Sequence, residues 1–567
     1  MKLFHQLLVA PAALGLLAPV AANATELNIN GVSDYAASGE QVTSITQFSD
    51  VYPTDWAYQA LSNLIERYGC VAGYPNGTYR GNRAMTRFEA AALLNACLDR
   101  VTEVTDELKR LMKEFEKELA ILKGRVDGLE ARVGELEATQ FSTTTKLKGQ
   151  ATFVIGANSF GGDARQGLAD VAGIVNSNGI VGEKRADAAA AQNGATTFNY
   201  DLRLFLDTSF TGKDLLRTML RAGNFGNSAF GGGGYVGLDA METAFEEPSG
   251  ANSVGVNRLW YQFPIGSNFT ATVGGVVRQD DMLAVWPSAY PTDTVLDFFT
   301  YAGAPQTYNL ALGAGAGLSW AYDDFSISAN YVSGNGSNST PGVADTNAFL
   351  RDSSDCGGIA TDCAASSGTV QIAYAPENWG LAAAYNYASG NNGIGIYSGN
   401  GTPTANLFSS LGTTNSFGLS AWWTPEEAGW IPSISAGWGY NSVDISNADF
   451  GGGLGSIDGA TSQSWYVGLQ WADAFMKGNT LGMAVGQPTF VTSWDNDSFI
   501  NDGSDFVADG NYAWEWWYQF QVTDNISVTP ALYYLSRPLG YATNNLEGDS
   551  DGTFNNFGGL VKTTFKF

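Results

Sequence analysis

From about Thr143 to Phe567 the sequence alternates apolar with polar residues at a period of two, and the connections between alternating segments are of two unequal kinds. Tyr200, Leu202, Leu204 and Leu206 share one parity, while Asp201, Arg203, Phe205 and Asp207 take the other. Trp465 to Trp471, Trp514 to Phe520 and Ile526 to Leu532 repeat the pattern. A period of two places successive side chains on opposite faces of a strand. Short turns fall at Thr211-Gly212-Lys213, Ile265 to Asn268, Asp323-Asp324, Pro376 to Asn378, Pro425 to Glu427, Ala472 to Lys477 and Thr523 to Asn525. Between them lie long polar, Gly-rich stretches near 159–197, 225–255, 279–309, 333–367, 388–414, 441–461, 488–512 and 536–553. Short turn then long loop, repeated, predicts an all-β transmembrane barrel of about 16 antiparallel strands with its long loops at one end. A secreted sandwich or propeller has no need of that asymmetry.

Residues 1–24 carry Lys2, an apolar run from Leu7 to Val20 and then Ala22-Asn23-Ala24, the pattern of a secretory signal with an A-x-A cleavage site. No later stretch approaches the ~20 uninterrupted apolar residues of a membrane helix. A membrane-inserted form must therefore use strands. The formal net charge of -27 argues against nucleic acid as a partner. His5 is the one histidine, and it lies in the segment expected to be removed, so His triads, His zinc sites and His pH switches are excluded from the mature chain. No localised carboxylate pair argues for acid-base catalysis. The chain reads as non-enzymatic, with no cofactor and no metal expected.

Residues 25–45 are a polar leader, and from Phe48 the text runs FSDVYPTDWAYQALSNLIERYGCVAGYPNGTYRGNRAMTRFEAAALLNACL. A first helix is expected from near Thr54 or Asp55, with Trp56, Ala60, Leu61, Leu64 and Ile65 on one face and a stop at Gly69. A second opens on Thr86-Arg87-Phe88-Glu89, a capping box in which Thr86 and Glu89 satisfy reciprocal backbone donors. The FSDV opening, the Trp of DWAY, the GYPNGTY loop and TRFE resemble an S-layer homology (SLH) domain, here over 46–100. The resemblance implies binding of peptidoglycan or an attached glycan, with Arg87 as the direct contact and Trp56, Gly73, Tyr74, Thr86 and Glu89 shaping the site. Thr86 and Glu89 already have a capping role and Trp56 fits a core position equally well, whereas Arg87 has no comparable structural task. Phe88 stands where the family usually has Ala. Cys70 and Cys97 bracket the loop and second helix, where a disulfide is compatible with the sequence but not dictated by it.

Val101, Leu108, Phe115, Leu122, Leu129 and Leu136 recur at every seventh position, and Met112, Leu119, Val126 and Val133 fill the partner seam. Residues 101–140 are therefore predicted to form a parallel coiled coil, a rod of ~50 Å that requires at least a second copy of the chain. Val at one seam with Leu at the other leans by itself towards two strands. Only one SLH copy is present, and bundling chains would multiply its wall contacts without any new contact.

The last strand places Val561, Thr563, Phe565 and Phe567 on one face and Lys562, Thr564 and Lys566 on the other, and a terminal aromatic resembles the assembly signal of bacterial porins. Signal peptide, SLH domain, coil and barrel at 141–567 together resemble the SLH-bearing porins of the cyanobacterial outer membrane, which belong to the carbohydrate-selective porin family and are often labelled iron uptake porins. The resemblance implies a homotrimer in outer-membrane lipid, with the SLH domain in the periplasm. Inward parity puts Lys146, Lys148, Arg203, Arg217, Arg221, Arg258 and Arg278 on the lumen side of the first strands, and the third long loop carries Asp280, Asp281, Asp293 and Asp297. Either that loop folds in to face a basic wall and forms a charged constriction, or these residues pair and hydrate a wide lumen. Cys356 and Cys363 lie in an outward loop, where a local disulfide is expected. The function expected is passive diffusion of small hydrophilic solutes or ions, with a structural tether between membrane and wall as the competing class.

Overall fold

The alternation becomes strand at Thr145, and strands recur up to Lys566. The computed structural model describes residues 44–55, 58, 61, 62, 65, 78, 79, 113, 144–166, 182–341, 356–389, 396, 398–449, 456–496, 504–543 and 552–567. The chain divides into two units, Met1–Gln140 and Phe141–Phe567. In the second, the strands are β1 (Thr145–Gly161), β2 (Thr197–Thr208), β3 (Leu215–Gly223), β4 (Gly255–Ile265), β5 (Phe269–Arg278), β6 (Leu312–Tyr322), β7 (Phe325–Ser333) and β8 (Ser366–Tyr374). They continue as β9 (Trp379–Ala388), β10 (Thr413–Trp423), β11 (Ser433–Asp449), β12 (Ser456–Ala472), β13 (Thr480–Asn496), β14 (Tyr512–Thr523), β15 (Ile526–Ser536) and β16 (Asn555–Lys566). Each pairs with its sequence neighbours, and β1 with β16, into one closed barrel. Closure leaves no unpaired edge, the condition for strands to survive away from water.

The two parities separate as expected. In β9 exposure alternates along the strand, with Trp379, Leu381, Ala383, Tyr385 and Tyr387 outside. Register carries the parity from strand to strand, for example Ile155↔Val561 outside and Thr152↔Asp201 inside. The outer face is apolar and bears aromatic rings at both ends. Tyr385 with Phe417 and Tyr512 with Trp514 lie towards the long-loop rim, and Tyr374 with Trp379 and Tyr518 with Phe520 towards the short-turn rim. Two such girdles bracketing an apolar band are what a barrel wall needs at two lipid-water interfaces. The C-terminal residue closes the ring, because Gly149 and Phe567 exchange backbone hydrogen bonds of 2.6 and 3.0 Å.

Two stretches expected as loops are strand instead. β11, β12 and β13 each run 17 residues, which takes up much of 441–461 and the start of 488–512. Val443, Ile445, Ile457, Val491 and Trp494 are buried there with Ala405 and Phe408, so apolar packing holds the strands together beyond the girdle. Two helices also lie within predicted loops, α1 (Arg185–Asn193) and α2 (Pro403–Leu411). α2 begins on a Thr402 cap with Pro403 in its first turn, a local start signal that the Gly-rich surroundings obscured.

At this rim Asp509 gathers three segments. It accepts hydrogen bonds from Thr402 Oγ1 (2.5 Å), Val491 N (2.8 Å) and Tyr541 N (2.6 Å). Burial outweighs these donors and pushes its carboxyl up to about 6. An acid with a folded pKa above its unfolded 3.8 favours the fold while neutral, so its contribution is complete below 3.8 and is lost as pH rises through about 6. Hydrogen exchange at the Val491 and Tyr541 amides, corrected for intrinsic rate, is expected to be faster at pH 8 than at pH 5. Equal protection at the two pH values would contradict this.

In the first unit, Ile45, Phe48, Leu61 and Ile65 form a small buried cluster with Val51, Tyr58 and Tyr79 against it. Leu61 and Ile65 thus lie on one apolar face, as the helical spacing requires. Asp50, from the FSDV motif, accepts the Tyr79 backbone N–H at 2.5 Å and ties the start of the motif to the end of GYPNGTY. The signal segment, the leader up to residue 43, the coil apart from Lys113, and Cys70 and Cys97 lie outside the described residues.

Candidate functional site

The third long connection, 279–311, turns into the barrel. Its composition leaves little choice, because Tyr290, Val295, Leu296, Phe298, Phe299 and Tyr308 are all nearly or wholly buried there. Leaving them in water would forfeit roughly 1.5–3 kcal/mol for each large apolar side chain. The inner wall receives this loop one strand at a time. Ser328 Oγ of β7 accepts from Ala284 N at 2.8 Å, and Gln371 of β8 holds Val285 O and the Tyr308 hydroxyl, each at 2.8 Å. Ser420 of β10 donates to Ala302 O at 3.2 Å, and Ser464 of β12 to Gly303 O at 2.8 Å. Ser435 of β11 accepts from the backbone of Ala289 and Tyr290 at 2.9 and 3.0 Å. Glu515 of β14, fully buried, accepts from Tyr290 Oη and Leu296 N, both at 2.8 Å. Lys562 of β16 donates to Asp293 Oδ1 at 2.6 Å and to the carbonyls of Asp293 and Thr294 at 2.8 and 2.9 Å. The loop is therefore fastened from β7 round to β16.

It comes close to the wall at Ala302-Gly303, both with positive φ, where Gly437 of β11 lies directly beneath the Ala302 carbonyl. A Cβ at Gly437 would overlap that backbone. Gly437→Val is expected to lift this part of the loop and cost about 1–3 kcal/mol, as overpacking does. A melting temperature equal to that of the wild type would contradict the tight contact.

The wall of β1 to β5, which the loop meets at its start, carries the charges. Arg217 pairs with Asp207 through Nε (2.8 Å) and Nη2 (2.9 Å), and Arg221 pairs with Asp201 at 2.7 and 3.1 Å. Arg203 reaches Asp201 at 2.6 Å and Glu242 of the second long connection at 3.4 Å. Arg258 meets Asp281 at 2.7 Å and Arg278 meets Asp280 at 2.5 Å, which joins the wall to the start of the inward loop. Lys148 reaches Asp207 at 3.4 Å, and Lys146 shares its parity nearer the short-turn rim. Aromatic rings steady two arginines. The Arg217 guanidinium is 5.3 Å from the centres of both Phe205 and Trp260, and that of Arg221 is 4.1 Å from Phe245.

The structure thus brings together Lys146, Lys148, Arg203, Arg217, Arg221, Arg258, Arg278, Asp280, Asp281 and Asp293. Asp297 departs from the group. It is buried, and its carboxylate accepts from Asn400 Nδ2 at 2.8 Å among packed loops. Sequence reasoning passed over Asp201 and Asp207, which carry the same inward parity as Arg203, and Glu242, Lys562 and Glu515. The basic wall is consequently a ladder of ion pairs rather than a row of free cations. Cys356 and Cys363 form a disulfide in the outward loop before β8. The residues expected at a glycan site, Arg87, Trp56, Gly73, Tyr74, Thr86 and Glu89, lie outside the described residues.

Residues 103–567 match the family described as carbohydrate-selective porin, OprB family, and residues 47–91 match the S-layer homology domain. The porin match begins inside the heptad stretch. An uncharacterized protein of Nostoc sp. is 34% identical, with 95% of this chain and 88% of that protein covered. A second, from Synechocystis sp., is 29% identical over 95% and 93% of the two chains. The outer membrane protein SlpA of Deinococcus radiodurans is 36% identical over 104 residues, 17% of this chain and 9% of that protein. Among solved structures, OprB of Pseudomonas putida aligns with a TM-score of 0.43 at 11% identity, over 76% of this chain and 96% of that one.

Proposed function

This chain belongs to the carbohydrate-selective porin, OprB family, and from that premise we propose that it is a passive, non-enzymatic channel of the outer membrane. It admits small hydrophilic solutes or ions past the charged wall of β1 to β5, and its SLH segment holds it to peptidoglycan or an attached glycan in the periplasm. The division proposed is a signal peptide over 1–24, a leader over 25–45, the SLH domain over 46–100, a trimerising coil over 101–140 and the barrel over 141–567. The observation that carries the channel reading is the division of the lumen. The inward loop is bonded from β7 round to β16, while side chains on the opposite side and at the loop's tip keep exposure, 63% for Lys148, 28% for Arg217 and Arg278, and 39% for Asp293. Charges at a narrowed passage set ion preference.

Because each arginine is paired, removing one uncovers a carboxylate. Arg217→Ala exposes Asp207 and Arg221→Ala strips one partner from Asp201, so both variants are expected to shift the reversal potential in a salt gradient towards cations. An unchanged reversal potential in both would count against these residues lining the passage. A tether with a closed barrel remains the second reading. It is favoured by the buried Phe225, Phe230 and Tyr235 of the second long connection and Ala188 and Ala189 of the first, which fill lumen alongside the inward loop.

A further inference from the structure

Three short turns of the barrel carry only polar residues or glycine beyond the strands, Gly266-Ser267-Asn268, Asp323-Asp324 and Asp524-Asn525. Three others expose a large apolar side chain, Phe210 at 65% in 209–214 and two that show more. In 424–432 Trp430 is 94% exposed with Ile431 beside it, and in 473–479 Phe475 is 88% exposed with Met476 beside it. Soluble surfaces rarely gather large apolar side chains at such exposure without a partner.

Both connections fold against the outer face rather than under the lumen. The Trp471 indole, on the outward parity of β12, donates to Trp430 O at 3.0 Å. Phe475 lies 5.8 Å from the ring of Tyr518, whose hydroxyl donates to Ala474 O at 2.8 Å. Tyr518 in turn contacts Phe520 at 4.5 Å in the outer girdle. The apolar surface of the two connections is therefore continuous with the lipid-facing band.

We propose that 424–432 and 473–479 together form a lipid anchor, inserted into the leaflet that borders the short-turn rim, which fastens the β10–β14 sector of the barrel below its strands. The inference rests on the reading that the barrel spans the outer membrane. Tryptophan prefers the interfacial zone, where its ring is buried in lipid while polar atoms keep water. Glu426, Glu427, Asp473 and Lys477 flank the apolar residues and can stay among headgroups. The occupant is lipid and not a second protein, because the contacts run to girdle aromatics that already face lipid.

The test uses the full chain with Cys70→Ser and Cys97→Ser, its loop disulfide intact, in vesicles of phosphatidylcholine and phosphatidylglycerol. An environment-sensitive fluorophore is placed by Phe475→Cys, with Leu419→Cys on the outer face and Asn378→Cys in a polar turn as references. Nitroxide lipids should quench the label at 475 nearly as strongly as that at 419, with blue-shifted emission, while that at 378 is quenched by aqueous iodide instead. A label at 475 that follows the one at 378 overturns the anchor. So does one shielded from both quenchers, which would mean that a protein surface covers the patch. If the label at 419 also escapes lipid quenching, the barrel is not in the membrane and both readings fall.

Discussion

Glu515→Leu is expected to give a barrel that still folds but conducts in larger, noisier steps than the wild type. The wild-type carboxylate is fully buried and is the acceptor for both Tyr290 Oη and Leu296 N. Leucine fills most of the volume but accepts no hydrogen bond. A buried donor left without an acceptor costs about 1–3 kcal/mol, so two of them weaken the docking of the inward loop by roughly 2–6 kcal/mol. Lys562 would still hold Asp293, and the freed segment would be the stretch around Tyr290 and Leu296 that faces β14. Trp517, which donates to the Tyr290 hydroxyl at 2.9 Å, would lose its ordered partner as well. Single-channel recordings indistinguishable from wild type, on a variant with unchanged melting behaviour, would mean that the loop does not limit the passage.

Arg87→Ala in the full chain is expected to remove most co-sedimentation with purified peptidoglycan sacculi. In the sequence Thr86 and Glu89 match a capping box and Trp56 fits a core position, so a structural reason is at hand for the neighbouring residues. Arg87 has none, and a guanidinium suits bidentate contact with the anionic groups of a glycan or peptide stem. The effect is amplified by assembly. If three chains bind together and each loses about 1.4 kcal/mol, the joint affinity falls roughly a thousandfold. Sedimentation equal to that of the wild type would remove Arg87 from the wall contact.

The parity of the wall was legible because a period of two has only two outcomes. Once Leu202 and Leu204 are outside, Arg203 and Asp207 must be inside, and the register of β1 to β3 keeps them so. Turns were legible for the same local reason, with Asp323-Asp324 and Thr523-Asp524-Asn525 too short to be anything else. The docking of the inward loop was not. Leu296 meets Glu515 across 219 residues of sequence, and no local pattern announces that an isolated Glu in a run of aromatics is an acceptor awaiting a distant backbone. The extra length of β11 to β13 was hidden similarly, since Val443 and Trp494 read as stray apolar residues until α2 is packed on them. The pairing of Arg221 with Asp201 is a different omission, because both residues were visible at inward parity and only the cations were selected.

The most direct test of the channel reading is the conductance of the purified full-length protein in a planar lipid bilayer, with and without sugars in the salt solution. Discrete ohmic steps that respond to added sugar are the result expected of a passive path for small hydrophilic solutes. A silent bilayer, with insertion of the protein verified, would contradict it and leave the wall contact as the main task of the chain.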